Sequence, residues 1–314
     1  MAPNKLLVVF GATGQQGGSI IDYVLNDPTL PQQFSIRAVT RDPSASAAVA
    51  LTKRGVEVVQ ADANNKASLE KATQGADTTF IMTAQNFADE DIEATEVAQG
   101  KAMVDAAVSG GSKYVIFSTL PDVIKISGGK YTQATNFNSK VQIEEYIRAS
   151  PVKAIFYAPG WFMQNCAHVW STRRMPDNTL ALLDVVSPQT RFPLIDIQRD
   201  TGKFLGPVLM EPEKFVGRTL AVASEIRTYQ EVAEIMSKVR GEPVQYRQVS
   251  KEEVFGTQCP PLIVERIGAM MGFYEEYPLY GPDMDNVVAE SVAMAGGRMN
   301  TFEELLKMRF QESS

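Results

Sequence analysis

The feature that most limits how this chain can fold is the turn Gly11-Ala-Thr-Gly14-Gln-Gln-Gly17-Gly18, which follows the apolar run Leu6-Leu-Val-Val-Phe10. An apolar strand leading through a glycine-rich turn into a helix is a device for holding phosphate. The first glycine permits the tight turn, the second lets backbone amides approach a pyrophosphate, and the third lets the helix pack closely on the strand. The start of the helix then offers unpaired N–H groups to the phosphates. Its apolar spacing runs from Ser19 to Leu25, with Ile20, Ile21, Val24 and Leu25 on one face.

The rest of the first half repeats that alternation. Strands are predicted at Ser35–Thr40, Val56–Val59, Asp77–Thr83, Tyr114–Phe117 and Val152–Tyr157. Helices are predicted between them at Ala45–Arg54, Lys66–Thr73, Ile92–Ser109 and Val141–Ala149, the third ending at Gly110-Gly111. Such an order implies right-handed crossovers and a parallel sheet covered on both faces. The fold class is therefore α/β: a Rossmann-type, doubly wound parallel sheet with a smaller mixed α/β C-terminal lobe. We divide the chain into a dinucleotide-binding domain, residues 1–164, and an interwoven substrate or partner lobe, residues 165–314.

Beyond Pro159 the rhythm loosens. Pro176, Pro188, Pro193, Pro207 and Pro212 predict only short elements between Trp170 and Phe215. Tyr229–Val239 reads as an amphipathic helix, Glu252–Tyr274 as one or two helices around Pro260-Pro261, and Thr301 as the start of a last one. The cluster Met270, Met271, Phe273, Tyr274 and Tyr277 reads as buried core before adaptable surface.

Composition narrows the function classes. A net charge of −7 argues against sequence-independent nucleic-acid binding, which needs a basic face. Two distant cysteines, Cys166 and Cys259, read as buried thiols before a disulfide framework, and the single histidine, His168, as structural or surface, so no metal site is expected. No apolar run is long enough to span a membrane, and the N-terminus lacks a signal-peptide pattern. The expected location is the cytoplasm, with the nucleus as a second one.

Cofactor choice is read at the end of the second strand, Val39-Thr-Arg41-Asp-Pro43. An acid there would bind the 2′-hydroxyl of NAD, whereas the Arg41 guanidinium can pair with a 2′-phosphate. Arg41 thus points to NADP(H), although Asp42 stands beside it. Asp62-Ala63 follows the third strand, where Asp62 can accept a hydrogen bond from the adenine amino group. Thr83-Ala84-Gln85 follows the fourth and would pass beneath the ribose and pyrophosphate. Either segment also reads as an ordinary polar loop.

At the reacting end, short-chain reductases use Tyr-x-x-x-Lys, in which tyrosine donates the proton and lysine holds the ribose. Lys140 takes the lysine position here, but Asn136 occupies the tyrosine position and Tyr131 is out of register. Ser118 and Thr119, ending the fifth strand, can supply a hydroxyl to polarise a carbonyl. Trp161, Phe162 and Met163 read equally as pocket lining or core.

The glycine spacing is similar to that of the extended and atypical short-chain dehydrogenase/reductases. Together with Val39-Thr-Arg41-Asp-Pro43, Phe137-x-x-Lys140-x-x-x-Glu144-Glu-Tyr146, Pro159-Gly-Trp-Phe162-Met-Gln-Asn165 and Glu211-Pro-Glu-Lys-Phe-Val-Gly217, it resembles the NmrA-like family over nearly the whole chain. The likeness is greatest to the subgroup of NmrA-like NADPH sensors. It implies that Gly11, Thr13, Gly14, Gln15, Gln16 and Gly17 cradle the pyrophosphate, with Arg41 on the 2′-phosphate. It also implies that Asp62, Thr83, Lys140 and the Phe162–Asn165 segment line the adenine and nicotinamide ends. Sensors of this kind lack the tyrosine and alter their conformation and protein partners on binding NADP(H). Plant relatives, by contrast, reduce substrates with a lysine and no tyrosine. The resemblance therefore implies a redox sensor acting on protein partners. Its alternative is an NADPH-dependent reductase of a small quinone, enone, imine or ketone. A homodimer is compatible with either, and neither direct nucleic-acid contact nor a membrane is expected.

Overall fold

Leu7, Val8 and Val9 are fully buried, as a strand covered on both faces must be. In the computed structural model, which describes residues 4–85, 91–167, 172–256 and 258–312, this strand β1 (Lys5–Phe10) lies inside a seven-stranded sheet. Its companions are β2 (Phe34–Thr40), β3 (Glu57–Gln60), β4 (Thr78–Ile81), β5 (Tyr114–Ser118) and β6 (Lys153–Pro159). A seventh strand joins them late in the chain. β7 (Trp161–Phe162), β8 (Thr172–Arg174), β9 (Leu180–Asp184) and β10 (Arg191–Ile195) intervene before β11 (Thr219–Val222) returns to the edge beside β6.

The sheet order is β11-β6-β5-β4-β1-β2-β3, and its pairs are parallel. The order reverses beside β1, which pairs with β2 on one side and β4 on the other. The carboxyl ends of β1 and β4 therefore frame the crevice in which open α/β sheets bind ligands.

Alternate residues of each strand face different layers. Leu7, Val9, Ala38, Phe80, Ile116 and Ile155 join one core, and Val8, Phe10, Val39, Ile81, Val115 and Phe117 the other. The first layer holds helices Gln15–Asn26 and Ile197–Met210, and the second holds Ile92–Ser109 and Thr135–Ala149.

Three elements differ from the sequence-based expectations. The first helix starts at Gln15, a full turn before its apolar spacing, because its opening residues sit over the glycine turn instead of a core. The helix carrying Lys140 likewise starts early, at Thr135, so Asn136 and Lys140 share it one turn apart. The prolines do not reduce the segment before Phe215 to short pieces, since Ile197–Met210 is one helix with Pro207 inside it. Proline lacks an N–H for the carbonyl of Lys203, and the Gly296 N–H donates to that carbonyl instead, at 2.8 Å. Asp196 caps this helix by accepting from the Arg199 N–H at 3.2 Å.

The remaining residues build a second core. β12 (Glu225–Thr228) and β7 flank β10, while β8 and β13 (Val244–Gln248) flank β9. Helices Lys251–Phe255 and Pro261–Glu276 are separate. Met271, Phe273 and Tyr274 are buried in this core, with Met270 and Tyr277 packed against it. The last helix begins with a capping box, in which the Glu304 N–H donates to Thr301 Oγ1 and the Thr301 N–H to Glu304 Oε2. No helix among the described residues is long and apolar enough to cross a membrane. Neither Cys166 nor Cys259 is in a disulfide; Cys166 is buried as expected, Cys259 only half-buried, and His168 lies outside the described residues.

Candidate functional site

Gly11 turns the chain at φ +65, in the left-handed region that a side chain rarely adopts. The Gly14 N–H donates to the Gly11 carbonyl at 2.9 Å and closes the turn. Gly17 then brings the helix onto it: a Cβ there would lie 2.4 Å from the Gly11 carbonyl oxygen and 2.9 Å from Ala12 Cα. Gly14 is the N-cap and gives the helix no side-chain hydrogen bond, so the first-turn amides keep their capacity for an external anion. Thr13, Gly14 and Gln15 are exposed on the rim. Gln16 is buried, and its Oε1 has no partner among the described residues.

The neighbouring strand ends carry Arg41 and Asp62, the residues expected on the adenine side. Arg41, just past β2, is exposed, and its side chain engages none of the described residues. Its carbonyl accepts from Gln60 Nε2 at 2.9 Å, which anchors the backbone. Asp42 does not compete for the guanidinium. Its carboxylate accepts from the Ser44 N–H at 2.8 Å and hydroxyl at 2.5 Å, and these bonds hold it below the usual carboxylate range. Asp62 is exposed and accepts from the Asn64 N–H at 2.7 Å through Oδ1, beside half-buried Ala63.

Past β4 the chemistry changes character. Lys140 Nζ donates to the Thr83 carbonyl at 2.6 Å, to Thr83 Oγ1 at 2.5 Å and to Glu96 Oε1 at 2.5 Å. The Thr83 hydroxyl donates to Glu96 Oε1 at 2.7 Å and the Ser139 hydroxyl to Glu96 Oε2 at 2.5 Å. Burial pushes the Glu96 carboxyl up, but the Lys140 charge and these hydrogen bonds outweigh it and hold the acid below its usual range. Burial loosens the proton of Lys140, against the pull of Glu96. The three ammonium hydrogens of Lys140 are thus engaged inside the protein, and a ribose hydroxyl would have to displace a partner.

The hydroxyls expected to polarise a carbonyl are placed differently from each other. Thr119 is buried and donates to Glu144 Oε2 at 2.7 Å, a carboxylate also held by Arg148, so its hydroxyl serves the packing of a helix on the sheet. Ser118 is buried and its side chain bonds to none of the described residues. Asn136 Nδ2 faces Met270 Sδ at 3.5 Å, and Tyr131 packs edge-on against Phe273, away from the lysine.

A cavity of about 500 Å³ opens beside this end, with Gln85, Asn136, Trp161 and Asn165 in its wall. Trp161 is therefore lining, whereas Met163 is core and Phe162 packs against the large-sheet core. Ala84 is exposed next to Gln85. Farther in, Asp184 accepts from the Tyr229 hydroxyl at 2.8 Å, and burial raises its carboxyl.

The spacing of chemistry-bearing residues did not disclose Glu96, Ser139, Asp184 or Arg266. Glu96 did leave a signal. Ile92, Glu96, Gly100, Met103 and Val104 form the buried stripe of their helix, and a carboxylate inside such a stripe demands a buried partner. Arg266 similarly interrupts the apolar spacing Ile263, Ile267, Met270 on its helix.

A model of the NmrA-like family matches residues 3–306. An NmrA-like family domain-containing protein of Dictyostelium discoideum is 29% identical over 97% of each chain. An NmrA-like family domain-containing oxidoreductase of Cladobotryum sp, FrzB, is 29% identical over 78% of this chain and 76% of its own. Among solved structures, NmrA, a negative transcriptional regulator in complex with NADP, superimposes with a TM-score of 0.82 at 23% identity, covering 99% of this chain and 96% of that one. That identity speaks for the fold, whereas the family model spans nearly the whole sequence, and the chain belongs to the NmrA-like family.

Proposed function

We propose that this chain binds NADP(H) and reduces a small apolar molecule held in the cavity beside it. Gly17 packs its helix on the Gly11 turn where a Cβ would clash with backbone, the first-turn amides lack a side-chain cap, and the Arg41 guanidinium has no partner among the described residues. Such a donor set fits a dinucleotide with a 2′-phosphate. Thr13, Gln15 and Gln16 would flank the pyrophosphate, and Asp62-Ala63 the adenine. Bound NADPH would supply a hydride, with the protein contributing position and dryness.

The observation that carries the reductase reading is shared lining. Gln85 and Asn165, given to the cofactor by position in the sequence, also line the apolar cavity. Trp161 and Met271 exclude water from it, and the Asn136 amide can donate to a carbonyl oxygen without giving up a proton. Lys140, one helical turn from Asn136, would orient the ribose, and a water would relay the proton. The test is NADPH oxidation against quinones, enones, imines and ketones, with Ile267→Trp filling the cavity. Turnover of at least one class, lost in the variant while calorimetric NADPH affinity stays, supports the reading. Tight NADPH binding without oxidation of any class contradicts it.

A second reading, an NADP(H) sensor controlling protein partners, draws on the engagement of Lys140 with Thr83 and Glu96 and on Asn136 in the tyrosine position. Sensing requires the two redox forms to favour different conformations. Limited proteolysis that differs between NADPH and NADP⁺ would support it, and identical digestion would oppose it.

A further inference from the structure

Buried polar atoms without a protein partner are rare, and each calls for an explanation. On the wall of the cavity stand four: Gln85 Nε2, Thr135 Oγ1, Trp161 Nε1 and Arg266 Nη1, none bonded among the described residues. Three of these can only donate, and the fourth, a hydroxyl, can donate as well. The acid in the same wall does not serve them. Asp184 accepts from Tyr229 at 2.8 Å and from the Val185 N–H at 2.7 Å, inside the protein's own network. The second arginine of the lining, Arg173, is exposed and donates to the Glu253 carbonyl at 3.1 Å. What these atoms lack among the described residues is an acceptor, and the strongest donor of the four is the Arg266 guanidinium.

We propose that the cavity takes an apolar organic acid, and that Arg266 is the residue that reads its anionic oxygens, with Gln85 and Thr135 as neutral donors. A volume of about 500 Å³ suits a small ring system carrying one carboxylate. The charge of Arg266 gives such a ligand its advantage over a neutral one of the same shape, because a charge-assisted bond in a dry wall is worth more than a neutral bond. Arg266 is a specificity-determining residue in this scheme and takes no part in the chemistry. The inference rests on the cavity being the substrate site of the reading above.

The test compares naphthoic acid, ionised at neutral pH, with its methyl ester by titration calorimetry. The expected result is that naphthoate binds about tenfold tighter or more. Arg266→Met should erase that preference by weakening naphthoate alone and leave NADPH affinity unchanged, whereas Arg266→Lys should retain part of it. An ester that binds wild-type protein as tightly as the acid overturns the proposal, as does an Arg266→Met variant that weakens both equally. The wild-type comparison depends on neither variant folding. Failure of NADPH to bind while naphthoate keeps its preference would instead overturn the cofactor reading and leave this one standing.

Discussion

At its phosphate end the groove is made of backbone. Gly17 brings its helix onto the Gly11 turn so closely that no side chain fits between, and the first-turn amides have no side-chain cap. At its reacting end the same groove is made of side chains already bonded to one another: Lys140 to Thr83 and Glu96, Ser139 to Glu96, Thr119 to Glu144. The first arrangement is shaped in advance for an outside anion. The second is held by its own network, so a ligand arriving there must compete for donors. If the proposed function holds, binding would rest on the first end, and turnover on which bonds the lysine gives up.

The largest effect should come from breaking the network. Glu96→Ala leaves Lys140 buried without a counter-charge and should cost about 3–5 kcal/mol in chemical denaturation. Adding Lys140→Met should recover much of that loss, as the members of one network are not additive. The acid side of the stability profile carries the same signature. Lys140 and the surrounding hydrogen bonds hold the folded-state carboxyl below its ordinary value of 4.5. The stability it contributes is complete above that pH and is lost as the pH falls through the folded-state value. A Glu96→Gln variant should show a shallower loss across that window in acid titrations of stability.

At the phosphate end, Gly17→Ala places a Cβ against the Gly11 carbonyl and should weaken NADPH by about a hundredfold or more, measured by calorimetry. Wild-type affinity in that variant would break the contrast by showing that the cradle is not made of close backbone contact. Arg41→Ala should weaken NADPH by about 10–100-fold and leave NADH unchanged, the worth of a charge-assisted bond to one phosphate. The smallest change is expected from Thr119→Val, which loses the bond to Glu144 and should cost about 1 kcal/mol of stability without altering NADPH oxidation.

The legibility of the sequence follows the same division. The turn, the strands around it and Arg41 could be read because backbone conformation is written locally, in glycine positions and in the period of apolar residues. The return of Thr219–Val222 to the edge of the sheet could not, since a short strand's partner is set by tertiary packing. The straight passage of Ile197–Met210 through Pro207 depends on a donor almost ninety residues away, at Gly296. Thr119 was legible as a hydroxyl at a strand end, but its task depends on Glu144 from another helix. Glu96 went unread although it stands as a charge in an apolar stripe, and only the fold shows that Lys140 is its partner.

The measurement that bears most directly on the central claim is a calorimetric titration of the wild-type protein with NADPH and with NADH under one buffer and salt. A guanidinium free to meet a 2′-phosphate predicts that NADPH binds at least about tenfold more tightly. Equal affinities, or a preference for NADH, would contradict the assignment of Arg41 and the NADP(H) reading built on it.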